Sequence, residues 1–500
     1  MVDRVLRKPQ VPWRVFLTCW LVYTVFWTPY IVREHFPAMT LAERGSLNVA
    51  PYLGWTEDIF SVPNGGAYIN NNPGASMVGA IPLVLLRPLL KAVDEWNQGR
   101  PRAMVNGRGE GATFARMAAE GREFYFLLVA FVTVALVMAP LTAGTAAYLC
   151  SRLIDAGVVP AVSAACVALL CGLATPVLFR TGYLNHNLLV ADAGLVAMLL
   201  LWEPAERPLA PAQAAIAGLL AGFAFLCDYS GAVVLAVTFL YTWMRSAGQP
   251  LSQRWRPLAA FAAGVIPAVA VLAIYQAWAF GAPARPSQYY MSPTAPTSRG
   301  YRGFDWPSPA LLWANFFNPR FGLFTSCPLL ILAFAAPFVT RVRFRMPRRE
   351  MWILLAYFAL FVLFCSANQY SWLQRSTGFR YLVPVVFPLA LLAMQVGQSL
   401  PRTARWMLTG ATLVQSFIIA AAHQSDVLLA ASALMRNRFE LPWMIRVRAT
   451  GLPVNWLWPV VIFLMLGLAM GLIWRNPQLR HSPAEPADPS RNRPVRPLPR

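Results

Sequence analysis

Glu34 follows a 20-residue apolar run and sits in the triplet Arg33-Glu34-His35. A carboxylate there is suited to act as a general base toward an acceptor hydroxyl or amine. The plainer alternative is an Arg–Glu flank that caps and anchors the end of the run, because charged residues are normal at such ends. Further along the same polar stretch, Trp55-Thr56-Glu57-Asp58 supplies a second acid, Asp58. The segment Gly65-Gly66-Ala67-Tyr68-Ile69-Asn70-Asn71-Asn72-Pro73-Gly74 then places three amides beside a tyrosine. Asn70, Asn71 and Asn72 carry donors and acceptors that match sugar hydroxyls or phosphate oxygens, with Tyr68 beside them. Gly, Asn and Pro also build ordinary turns.

A second group of candidates is cationic. Arg180-Thr181-Gly182-Tyr183-Leu184-Asn185-His186-Asn187 pairs Arg180 with His186, a combination suited to holding a phosphate. A lone histidine is also a common structural residue. Asn318-Pro319-Arg320-Phe321-Gly322 and Arg375 through Gly378-Phe379-Arg380-Tyr381 each put an arginine at the start of an apolar run. The planar guanidinium fork of Arg320, Arg375 or Arg380 is able to grip phosphate with two hydrogen bonds, or simply to anchor a headgroup. Two acids lie apart from these. Asp192 falls six residues after His186, about 9 Å along a helix. An ionisable group at that depth marks function by default, or pairs with a neighbouring helix. Asp228, in Cys227-Asp228-Tyr229-Ser230-Gly231, occupies a short turn and has turn formation as its simple reading.

Membrane-spanning helices must position these residues. Of 500 residues, 57% are hydrophobic and 13% charged, against about 25% charged in a soluble domain. Continuous apolar stretches of about 20 residues are the length signal for helices crossing a hydrocarbon core, and they lack the alternation of a β-barrel. The expected fold class is therefore all-α and polytopic. About twelve transmembrane helices are expected, near 13–32, 124–149, 158–178, 187–202, 212–227, 229–244, 258–280, 321–340, 351–367, 381–399, 406–422 and 454–474. The stretch 77–93 is apolar but interrupted by Pro82, Arg87 and Pro88.

Charge placement sets the expected orientation. The net charge of +21 resides in short loops and at the termini, so nucleic acid is not an expected partner. The N-terminus, the arginine-rich loop 341–350 and the tail are assigned to the cytoplasm, which works only if 77–93 lies at the outer interface instead of spanning. The expected organisation is a cytoplasmic N-terminus (1–12), a transmembrane domain (13–474) and a disordered cytoplasmic tail (475–500). The long loops 33–123, 281–320, 368–380 and 423–453 then all fall outside an inner (plasma) membrane. The seven cysteines form no CxxC pair and read as small buried hydrophobes. No Walker loop, GxGxxG, HExxH or GxSxG occurs, which disfavours ATP-driven and Rossmann enzymes.

Taken in order, these segments resemble the GT-C superfamily of polyprenyl-phosphate-dependent membrane glycosyltransferases, especially the bacterial aminoarabinose and protein mannosyl transferases. The likeness rests on Arg33-Glu34 after the first helix, the AERG stretch, Tyr68-Ile69-Asn70-Asn71-Asn72-Pro73-Gly74, TPVLFRTGYLNHN, NPRFGLF and GFRYLVP. It implies inverting transfer of a sugar from a polyprenyl-phosphate carrier to an envelope acceptor. Glu34 would stand in the place of the catalytic acid, with Asp58 as the fallback, and His186, Arg320 and Arg380 would face the lipid phosphate. The family more often has Asp at the first position and a doubled proline where this chain has Asn72-Pro73-Gly74. Some members use a divalent cation near the first-loop acid, but this chain has no DxD cluster and no metal ligands are assigned. Two rival readings are a transporter or flippase of lipid-linked substrates, for which Asp192 speaks, and a non-catalytic membrane scaffold.

Overall fold

The computed structural model describes residues 10–30, 33–63, 65–98, 110–157, 159–203, 207–291, 298–339, 342, 346–374 and 378–475, apart from the side chains of 110–112 and 251. The expected tail, most of the expected N-terminal segment, Arg375 and the arginines at 341, 343 and 345 lie outside the described residues. In chain order the helices are α1 (Gln10–Val25), α2 (His35–Arg44), α3 (Gly74–Leu85), α4 (Arg87–Gln98), α5 (Glu110–Ala119), α6 (Glu123–Asp155), α7 (Ala161–Leu173), α8 (Val177–Thr181), α9 (His186–Leu201), α10 (Pro211–Cys227), α11 (Gly231–Ser246) and α12 (Leu251–Phe280). They continue as α13 (Pro309–Phe317), α14 (Leu323–Ser326), α15 (Arg348–Ala367), α16 (Val386–Gly397), α17 (Arg402–Ala422), α18 (Val427–Arg436), α19 (Pro442–Ala449) and α20 (Leu457–Trp474).

Four of these, α6, α12, α15 and α20, are long and apolar enough to cross a membrane. Helix α20 shows the apolar surface that suits a bilayer. Leu464, Leu468 and Leu472 are 68%, 66% and 59% exposed on a helix with almost no polar residue, a surface that water would not tolerate. Helices α7, α9, α10, α11 and the segment Val383–Gly397 are apolar but only 10–17 residues long. Helix α9 is buried nearly all round. Helix α1 leans on α6 and α7. A π-turn in α6, Val134–Met138, lies beside it, and Trp20 Nε1 donates to the Ala135 carbonyl at 2.8 Å.

Two expectations change, and a third gains detail. The chain is mostly helical but not all-α. Ile59–Ser61 (β1) and Ala67–Ile69 (β2) pair antiparallel with Phe60 opposite Tyr68. Their Ile, Phe and Tyr suit a pleated, half-buried surface, and the second strand is tied to Asn48 and Val49 through Ala67. The apolar run 321–340 is not one helix, because Pro328 interrupts it. The short α14 gives way to a 3₁₀ segment, Pro328–Ala335, packed against α16. The stretch 77–93 falls on a pair, α3 and α4, bent by 81° around Leu86, where Arg87 and the following Pro88 fit a new helical start. A similar 61° bend separates α17 from α18.

A charged staple holds the first loop to the bundle. Arg122, just before α6, reaches Asp94 on α4 at 2.9 Å and Glu43 on α2 at 3.0 Å, and Tyr125 also donates to Glu43. This fixes α2 and α4 against α6, and with them the chain on either side of the site.

Candidate active site

The site begins where α1 ends. Glu34 lies just before α2 and is 1% exposed. Its Oε1 accepts from Asn71 Nδ2 at 2.7 Å, from His186 Nδ1 at 2.6 Å and from Arg33 Nη2 at 3.2 Å. The carbonyl of Glu34 also accepts from Ser76 Oγ at 2.9 Å. Residues 34, 71 and 186, far apart in the chain, therefore share one carboxylate oxygen. Burial pushes the Glu34 carboxyl upward, but the Arg33 guanidinium and the His186 hydrogen bond outweigh it and hold the group well below the usual carboxylate range.

Two close backbone approaches make this meeting possible. Gly182 lies against the chain leaving α1. A Cβ there would come 2.7 Å from the Phe26 carbonyl, and Thr28 N donates to the Gly182 carbonyl at 2.8 Å. Asn185 then caps α9 by accepting from Leu188 N at 3.0 Å, and its amide donates to the carbonyls of Arg180 and Tyr183. His186 is thereby fixed on the first turn of α9. Gly74 performs the second approach. Its Cβ would lie 2.8 Å from the Leu226 carbonyl at the end of α10. Asn72 Nδ2 donates to the Phe225 carbonyl at 2.9 Å, so the three-asparagine run is pressed beside Asp228.

Above Glu34 is a cavity of about 780 Å³. Its polar wall carries Arg33, Asp58, Asn70, Asn71, Asn72, Asp228 and Arg380. Its other wall is aromatic, with Trp55, Tyr229, Tyr289, Tyr301, Phe304 and Tyr370. Arg33 bridges the polar wall. Besides Glu34 it reaches Asp58 Oδ2 at 3.6 Å and Asn70 Oδ1 at 3.5 Å. Burial disfavours its charge, but Glu34 and Asp58 together raise it above the ordinary arginine value. Asp228 lies across from this pair. Its Oδ2 is 3.5 Å from His186 Nε2, and its Oδ1 accepts from Ser230 N at 2.8 Å.

Glu34 and His186 lie beneath this cavity and do not line it, whereas Asp58 and Asp228 do. Arg380 lines it, with its guanidinium over the Tyr381 ring at 4.7 Å and its backbone N–H donating to Gln374 Oε1. Arg180 is buried behind, over Tyr183 at 4.8 Å, and its Nε and Nη1 have no hydrogen-bond partner among the described residues. Burial, and to a smaller degree Arg380 and Arg33, pull its charge below the ordinary arginine value.

Other sequence candidates lie elsewhere. Tyr68 packs edge-on against Tyr275, Trp278 and Phe280 in a separate aromatic cluster. Arg320 is exposed away from the cavity. Asp192 is buried within the helices, accepting from Thr142 Oγ1 at 2.7 Å. Arg375 is outside the described residues. The sequence reading missed the bridging role of Arg33 and nearly the whole aromatic wall. The only available signal for that wall was the density of tyrosine in 281–320.

A divalent cation of the kind some GT-C enzymes use does not fit these residues. Among the described residues no three His, Cys, Asp or Glu side chains converge as ligands. Arg33 already stands between Glu34 and Asp58.

No family model matches the chain, and no curated protein matches it. A solved structure it is similar to is the archaeal oligosaccharyltransferase AglB from Archaeoglobus fulgidus in complex with an inhibitory peptide and a dolichol-phosphate. The two are 14% identical with a TM-score of 0.36, over 84% of this chain and 56% of that one. The chain thus spans little more than half the length of that structure.

Proposed function

We propose that this protein transfers a sugar from a polyprenyl-phosphate donor to an envelope acceptor at the extracytoplasmic face of the plasma membrane. The observation that carries the reading is the cavity, whose lining combines three carboxylates, Glu57, Asp58 and Asp228, with three guanidinium groups, Arg33, Arg302 and Arg380. Inverting transfer needs both kinds of group. A carboxylate takes the proton of the attacking hydroxyl or amine. Fixed positive charge stabilises the phosphate as the glycosidic C–O bond breaks and the electron pair leaves with it. We assign Arg380, whose guanidinium lies over the Tyr381 ring, to that phosphate. Asn70, Asn71 and Asn72 offer the donors and acceptors that sugar hydroxyls require. The lining segments belong to stretches that charge placement assigns to one side of the membrane, which agrees with a donor held in the outer leaflet.

The assay supplies the protein in lipid with labelled polyprenyl-phosphate sugars and envelope extract, beside Asp58→Asn, Asp228→Asn and Arg380→Ala. Label passing to an acceptor with the native protein, and reduced in the variants, supports the reading. No transfer from any donor by folded native protein refutes it.

A further inference from the structure

Resting on that reading, we propose that Asp228 is the carboxylate that takes the acceptor's proton, and that His186 and Glu34 form a buried relay behind it. The three groups lie in a line running from the cavity inward. Asp228 lines the cavity with its side chain 17% exposed, while the side chains of His186 and Glu34 are 3% and 2% exposed. Glu34 therefore cannot touch a substrate held in the cavity, but it holds the imidazole.

The relay takes Glu34 as the anion, which accepts only, so that His186 Nδ1 donates across the 2.6 Å contact, with Asn71 Nδ2 3.1 Å from the same nitrogen. Asn71 Nδ2 donates to the same oxygen at 2.7 Å. In neutral His186 the lone pair then sits on Nε2, which faces Asp228 Oδ2 at 3.5 Å. That separation is long for a hydrogen bond, and it suits a contact that closes when a proton arrives.

The step balances. The acceptor oxygen or nitrogen attacks the anomeric carbon while the C–O bond to phosphate breaks, and its proton passes to Asp228. Asp228 hands the proton to His186 Nε2, and the Glu34 carboxylate stabilises the imidazolium. After product leaves, the proton returns through Asp228 to water in the cavity. Asp58 is the weaker choice because it pairs with the permanent cation of Arg33 at 3.6 Å and has no histidine behind it, among the described residues, to take the proton on. Asp228 has no cationic partner except His186 among the described residues. The charged and titratable groups around the relay are Arg33 and Tyr183 against Glu34, Arg180 behind it, and Cys227, Tyr229, Tyr381 and Cys365 near Asp228.

Two measurements test the relay. In the transfer assay, Asp228→Asn lowers kcat by about 10²–10⁴-fold with little change in donor KM, and Asp58→Asn lowers it less. Glu34→Gln lowers kcat with little change in donor KM, because His186 loses the anion that stabilises the imidazolium. A merely structural Glu34 would change donor KM as well. Independently of activity, ¹⁵N-histidine NMR of the full chain in nanodiscs, with His186→Gln to assign the signal, shows a hydrogen-bonded Nδ1–H imidazole. Its Nδ1–H signal moves in Glu34→Gln and its Nε2 signal moves in Asp228→Asn. Native kcat in Asp228→Asn, or His186 signals indifferent to both substitutions, overturns the proposal. Failure of the native protein to transfer any sugar instead removes the parent reading, while the NMR signals still decide whether the three groups are coupled.

Discussion

Replacing Glu34 by Gln removes one negative charge from a nearly water-free position and changes little in volume. The carbonyl oxygen of the new side-chain amide still accepts from Asn71 and His186, so the loss falls mainly on the ionic part of the contacts. Arg33 then keeps Asp58, at 3.6 Å and with a 39% exposed side chain, as its only carboxylate among the described residues. Hydrogen bonds to charged groups contribute about 1.5–3 kcal/mol each, and uncovering one partner of a buried pair costs about 3–5 kcal/mol. Because Gln keeps the shape and two acceptances, a loss of about 2–3 kcal/mol is expected. The pH dependence follows from the depressed carboxyl of Glu34. Its stabilisation is complete above the unfolded carboxylate value, fades progressively below that value and is gone once pH has fallen through the lower folded value. Native protein should therefore outlast Glu34→Gln at pH 7. The gap should begin to narrow as pH falls below the ordinary carboxylate range. Reversible unfolding in mixed micelles at several pH values measures this. A variant as stable as native at pH 7, or a gap already closed near pH 5, would refute the buried-anchor argument.

Three further outcomes are expected. Gly74→Ala sets a Cβ 2.8 Å from the Leu226 carbonyl, so overpacking should cost about 1–3 kcal/mol; unchanged unfolding would mean that the α3–α10 contact is looser than it looks. Arg380→Ala should raise donor KM at least tenfold while Arg320→Ala, exposed away from the cavity, changes it less than twofold; equal effects in steady-state transfer would move the phosphate subsite. Chelation of divalent ions with EDTA should leave transfer within twofold of native, since Arg33 holds the place between Glu34 and Asp58; loss restored by a divalent ion would contradict that.

Some of the architecture was legible because it follows from local composition. Apolar runs near 124–149, 258–280, 351–367 and 454–474 became α6, α12, α15 and α20, since in hydrocarbon each backbone polar group must be satisfied within its own helix. Pro88, with Pro82 before it, marked the 77–93 stretch as interrupted, and a sharp bend is found there. Pro328 carried the same signal within 321–340 and was passed over. The short strands β1 and β2 were hidden because three-residue pairings depend on partners brought from elsewhere.

The sequence by itself supplied the polar candidates for chemistry. Of these, Asn70, Asn71, Asn72, Asp58, Asp228 and Arg380 line one cavity, whereas Glu34, Tyr68, Arg180, His186, Asp192 and Arg320 do not. Which way each carboxylate faces was decided only by tertiary structure. Glu34 is turned inward because Gly182 lets the α8–α9 connection close onto the end of α1, delivering His186 to its carboxylate. Asp228 is left facing the cavity because Gly74 lets α3 press the asparagine run against the last turn of α10. The physical reason is that a side chain at a helix boundary has no periodic face to commit it. Its direction is set by which distant backbone comes within van der Waals reach, and no local pattern records that.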